Sequence, residues 1–152
     1  RIDLLRAAGA DKARLLIVAL DDREKALELV ETARQNFPNL KILARAYDRP
    51  HAYQLMEAKA DVVTRETFGS ALLMGEQALR LLGSSDNRAR RVTEKFREHD
   101  EAGLLKRYHV WGDDHAYGLL VSEQLSELEK VLQDDIEDVV EPAETASSPP
   151  SQ

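Results

Sequence analysis

Leu15-Leu16-Ile17-Val18-Ala19-Leu20-Asp21-Asp22 is the stretch on which the fold turns. Six apolar residues in a row have the length of a strand. Continuous apolarity, in place of alternation, is the pattern of a strand covered on both faces, as in a parallel sheet flanked by helices. The two aspartates that follow supply a helix cap, with Glu24 three residues after Asp21. Ala26, Leu29, Val30, Ala33 and Phe37 then recur at helical spacing until Pro38-Asn39 stops the element. Upstream, Leu4, Leu5 and Ala8 form a short helical stripe that ends at Gly9.

The same cycle repeats downstream. Leu40 to Tyr47 reads as the next strand, and Asp48 caps a short helix with Pro50 in its first turn. Val62-Val63 is a minimal third strand. Thr64 or Thr67 opens a long helix striped by Phe68, Ala71, Leu72, Gly75, Leu79 and Leu82 and closed by Gly83. Strand followed by helix three times over predicts an α/β fold with a parallel sheet. Beyond Gly83 the character changes. Ser84-Ser85-Asp86 caps a polar helix to about Tyr108, and a second helix runs from about Tyr117 to Leu132. Three units are expected: residues 1–83 as the sheet half, 84–132 as a helical extension, and 133–152 as an acidic, disordered tail without the apolar content to fold.

Composition excludes several classes of function. The net charge of −7 argues against a nucleic-acid face, which requires clustered Lys and Arg. Nine acidic residues against one Lys lie between Ser122 and Glu144, so the tail alone could account for the imbalance. With no cysteine there is neither a disulfide nor a thiolate ligand. No apolar run approaches the roughly 20 residues needed to cross a bilayer. The chain starts at Arg1 inside a helical pattern, which reads as a piece of something longer.

Three strands are too few for an independent doubly wound sheet, so about half of one is expected to be missing. The seven glycines, at 9, 69, 75, 83, 103, 112 and 118, are all isolated, and no G-x-G-x-x-G occurs. The turn that would bring backbone amides against a pyrophosphate is therefore not among these residues.

Arg1-Ile2-Asp3-Leu4-Leu5-Arg6-Ala7-Ala8-Gly9-Ala10, followed by the strand and Asp21-Asp22, resembles the middle of a Trk-N (RCK, or KTN) domain, in which a strand ending in Gly-Asp-Ala-Thr typically precedes this helix. Arg65-Glu66-Thr67-Phe68, continuing through Ala71-Leu72 to Leu81-Leu82-Gly83, resembles the branch found in Kef-type potassium/proton antiporters. The likeness spans about residues 1 to 98. It implies the second half of a Rossmann-like regulatory domain followed by C-terminal helices, not an enzyme. It implies binding of NAD(H) or AMP by the complete domain, weakly or not at all by this piece. It also implies pairing as a homodimer beneath the antiporter's membrane part, at the cytoplasmic face of the inner (plasma) membrane, and regulation by glutathione or its adducts.

By the same resemblance, Ala19, Leu20, Asp21 and Asp22 line the nucleotide cleft, in keeping with the rule that ligands sit at the carboxyl ends of parallel strands. One aspartate is expected to cap its helix and the other to be free for a ligand. Arg45, near the carboxyl end of an apolar strand, could reach a phosphate or pair with a carboxylate. Glu66 could face the cleft or an intersubunit site, though a first-turn acid supporting its own helix is the simpler reading. The run Arg88, Arg90, Arg91, Lys95 and Arg97 is interleaved with Glu94, Glu98 and Asp100 and reads as a solvated face. Arg97, beside Phe96, is its candidate for a regulator site. No metal site is expected, since His109, Asp113, Asp114 and His115 form only a loose loop cluster.

Two readings from other classes stand beside this one. A receiver-like signalling domain would use Asp21-Asp22 as an acidic pocket and Asp48 as phosphoacceptor. A pure assembly module would dimerise through its terminal helices and have its half-sheet completed by a partner. On the leading reading the stripe of Phe68, Leu72 and Leu79 is core or dimer surface, expected at or next to the homodimer contact.

Overall fold

In the computed structural model, which describes residues 2–137, the three apolar runs pair as a parallel sheet of strand order β1-β2-β3. Helix α1 (Ile2–Ala7) leads into β1 (Leu15–Val18). Then follow α2 (Arg23–Asn36), β2 (Lys41–Ala46), α3 (Arg49–Glu57), β3 (Val62–Arg65) and three helices, α4 (Phe68–Leu81), α5 (Asp86–His109) and α6 (Asp114–Glu137). Gly9 and Gly83 end α1 and α4 at φ +87° and +97°, a conformation in which a Cβ is strained. The partial Rossmann-like α/β fold expected of the strand–helix cycles is the fold observed.

Leu15 pairs with Lys41 and Val18 with Ala44; Leu43 pairs with Val62 and Ala46 with Arg65. Because side chains alternate along each strand and register partners share a face, the sheet has two unlike sides. Val18, Ile42, Ala44 and Ala46 are buried with Ala26, Val30 and Ala33 of α2 and Ala52 and Leu55 of α3, forming the core. The opposite side carries Leu15, Ile17, Leu43, Arg45, Val62 and Thr64. There Ile17 is 61% exposed and Leu15 51%. The expectation that β1 is covered on both faces is thus corrected. An unbroken apolar run requires only that both faces be apolar, and among the described residues one of them has no helix to meet.

Helices α4, α5 and α6 pack on one another beyond the sheet. Leu72, which is buried, faces α5 across an apolar groove of about 410 Å3 that is also lined by Phe68, Leu79, Val92, Phe96 and Leu132. Tyr53 of α3 is fully buried and touches Tyr108, Trp111 and Tyr117, with ring centroids at 6.2, 4.8 and 6.4 Å, which fastens the α5–α6 turn to α3. Helix α6 continues to Glu137, five residues past the boundary expected at Leu132. The disorder expected of the tail falls, from residue 138 onward, outside the described residues.

Candidate functional site

The carboxyl ends of β1, β2 and β3 form a charged rim, and Arg45 is its centre. Its Nη2 donates to the Ala19 carbonyl (3.1 Å) and to Asp21 Oδ1 (2.6 Å). Its Nε, buried and without a hydrogen bond, lies 3.8 Å from the Glu66 carboxylate. One guanidinium on the uncovered side of the sheet therefore stands between two carboxylates from different strand ends.

Of the two aspartates, one caps its helix as the sequence suggests. Asp22 is the N-cap of α2: its Oδ1 accepts from the Lys25 amide (3.0 Å) and its Oδ2 pairs with Lys25 Nζ (3.0 Å). The Lys25 amide and then its ammonium hold the Asp22 carboxyl below its ordinary value. Asp21 is 97% exposed and pairs, among the described residues, with Arg45. Ala19 and Leu20 are also exposed at this rim. Of the five candidate cleft residues, Arg45 thus holds Ala19 and Asp21, Leu20 lies between them in the chain, and Asp22 is turned into its helix.

Glu66 departs from its simpler reading. Helix α4 starts at Phe68, with Thr67 as an N-cap whose side chain makes no capping bond, so Glu66 precedes the helix rather than supporting its first turn. Its amide donates to the Ala46 carbonyl (2.8 Å), which holds the end of β3 against β2. Arg97 is half exposed and pairs with Glu94 (3.6 Å), away from the rim.

Asp100 overturns part of the solvated-face reading. It is 5% exposed, with one carboxylate oxygen on Arg49 of α3 and the other 2.6 Å from Arg65 Nη2 of β3. Arg65 in turn lies over the Phe68 ring (3.8 Å). No local signal separates Asp100 from Glu98 or Glu101, because its burial arises from partners 51 and 35 positions upstream. Arg65 was visible within the Arg65-Glu66-Thr67-Phe68 motif, but without a partner to give it a role. Next to Arg49, Asp48 accepts from the His51 amide (2.9 Å) and pairs with Arg23 (2.9 Å), whose guanidinium lies over Tyr47 (4.2 Å). A carboxylate engaged in this way is a helix cap, which removes the receiver-like reading's phosphoacceptor. Among the described residues no group of three His, Asp or Glu is placed to hold a metal ion, and no helix is long and apolar enough to cross a membrane.

Comparison with known proteins agrees with this architecture at two levels. Residues 1–66 match the TrkA-N domain family, and residues 70–146 match the family described as the potassium efflux system KefB C-terminal domain. A solved Kef C-terminal domain from Shewanella denitrificans, in AMP-bound form, is 49% identical, with a TM-score of 0.71 over 74% of this chain and 71% of that one. With its half-sheet on the one family, its helices on the other, and a near half-identical solved relative, the chain belongs to the Kef-type regulatory domains of potassium efflux systems.

Proposed function

We propose that this chain is the nucleotide-sensing half of a domain that gates potassium efflux through the antiporter to which it is joined, at the cytoplasmic face of the inner membrane. The observation that carries the reading is the Arg45 rim. An arginine held by the Ala19 carbonyl and the exposed Asp21 stands where open α/β sheets bind ligands, in a chain 49% identical to a Kef domain solved with AMP. AMP, or the AMP moiety of NAD(H), would meet Asp21 through its ribose hydroxyls and Arg45 through its phosphate. Ala19 and Leu20 would form the wall. The 152 residues hold no glycine-rich turn, so the phosphate is gripped mainly by residues upstream of them, and this chain by itself binds weakly.

Pairing as a homodimer and regulation by glutathione or its adducts at Arg97 complete the proposal. Arg97 is half exposed and, among the described residues, pairs with its i,i+3 neighbour Glu94, a weak surface contact that a carboxylate ligand could replace. The test is calorimetric titration of AMP and NADH into a chain extended upstream to complete the sheet. Micromolar binding that falls at least tenfold in D21A and R45A is expected. Unchanged affinity in both variants refutes the site.

A further inference from the structure

We propose that the end of β3 mechanically joins the Arg45 rim to α5, with Asp100 as the positioning residue on the helix. Residues 65 and 66 are consecutive, and strand alternation sends them to opposite sides of the sheet. On the uncovered side, Glu66 stands 3.8 Å from an Arg45 Nε that has no other partner. On the helix-covered side, Arg65 holds the buried carboxylate of Asp100, which Arg49 also holds. The rim and α5 are thus separated by a single peptide unit.

Arg45 has two carboxylates to choose between. It now bonds Asp21 at 2.6 Å and leaves Glu66 just beyond hydrogen-bond reach. Whatever neutralises or engages Asp21 releases the guanidinium to close on Glu66, which draws on the strand end that presents Arg65. Phe68 and Leu72 meet Val92 and Phe96 in an apolar groove that has no directional contact to resist sliding. Asp100 does have a directional contact, since Arg49 donates a hydrogen bond to its Oδ1 while Arg65 pairs by charge with the buried Oδ2. Small shifts at one end of such a contact can therefore move a packed helix as a unit. This deepens the nucleotide reading in taking Asp21 as the point where a ligand acts. The link itself belongs to this chain and needs no ligand to be tested.

The experiment follows amide hydrogen exchange of residues 86–109 in the 152-residue chain by mass spectrometry. D21N removes the charge that holds Arg45, and exchange in α5 is expected to slow about threefold, a size typical of coupling through shared partners. In an E66Q or a D100N background the same substitution is expected to leave α5 exchange unchanged. D100N takes the charged partner from a half-exposed Arg49 and a largely covered Arg65, so R49M/R65M/D100L serves as a second variant. It replaces the ionic cluster by apolar groups, which folded proteins commonly tolerate, and must equally abolish the response. An equal response with and without the cluster, or none in the parent chain, overturns the proposal. Because no nucleotide is added, that result stays distinct from a failure to bind AMP.

Discussion

Asp61 shows how much organisation one side chain can impose. Its Oδ2 accepts from the Ile42 amide (2.8 Å) and from Arg34 (2.7 Å), while Oδ1 meets Lys41 Nζ (3.1 Å). Arg34 also donates to the carbonyls of Pro38, Leu40 and Lys59, so α2, the start of β2 and the start of β3 are tied at one point. The Ile42 amide, then Arg34, then Lys41 hold the Asp61 carboxyl down at about 2. A depressed carboxyl stabilises fully above its unfolded value, and its contribution is lost as pH falls from there through the folded value. Asp61→Ala should cost about 2 kcal/mol at neutral pH, judged from charge-assisted hydrogen bonds. It should also flatten the acid limb between about pH 4 and about pH 2, as followed by circular dichroism. His51 acts nearer neutrality. It is buried, its Nδ1 accepts from the Tyr47 amide (3.1 Å), and burial lowers its pKa. The neutral form is thus favoured in the fold, and stability should fall as pH drops through and below the ordinary histidine range. A melting temperature that is flat from about pH 7.5 to about pH 5.5 would refute this.

Elements are set by their ends and by what they approach. Asp22 and Asp21 are adjacent and chemically identical, yet only Asp22 caps α2. Asp22→Ala should lower the melting temperature by a few degrees without a large change in nucleotide affinity, and Asp21→Ala should do the reverse. At the α5–α6 hairpin, Gly103 is needed for close approach: a Cβ there would lie 3.0 Å from Gln124 Oε1. Gln124 accepts from the buried Arg107 and donates to the Gly103 carbonyl. Gly103→Val should displace Gln124, leave a buried guanidinium without its partner, and cost about 2 kcal/mol in denaturant unfolding. Gly103→Ala should be milder, since a flexible amide can give way and alanine favours helix.

At the scale of the whole molecule, the exposed apolar surface is the dominant feature. Leu73, Met74, Leu81 and Leu82 of α4 and its end are 59%, 74%, 88% and 85% exposed, and Leu15 and Ile17 lie open on the sheet. Apolar exposure of this kind marks surfaces that meet other protein. We expect self-association of the chain, with L81D/L82D shifting it to monomer. A monodisperse 17.1 kDa species by light scattering of the parent would refute this. Of the two places the sequence left open for Leu72, core or dimer surface, it is buried and faces α5. Leu72→Asp should therefore loosen α4 from α5 and lower stability, rather than simply dissociate a dimer. The stripe of Phe68, Leu72 and Leu79 was legible as apolar; which partner it meets was not.

The sequence by itself determined what depends on near neighbours in the chain: the strand–helix period, a cap within Asp21-Asp22, at Asp48 and within Ser84-Ser85-Asp86, and the helix ends at Gly9 and Gly83. Capping, helix termination and amphipathic spacing are satisfied within a few residues, so a linear reading contains them. It also held Asp21 and Arg45 as candidates, because each stands at the end of an apolar run. Only the tertiary structure decided that Arg45 stands between Asp21 and Glu66 and that one face of β1 is uncovered in this chain. The same holds for Asp100, which leaves a polar helix face to be enclosed by Arg49 and Arg65. A side chain's burial and partners depend on groups 21 to 51 positions away that the fold brings to it. No local pattern encodes those distances.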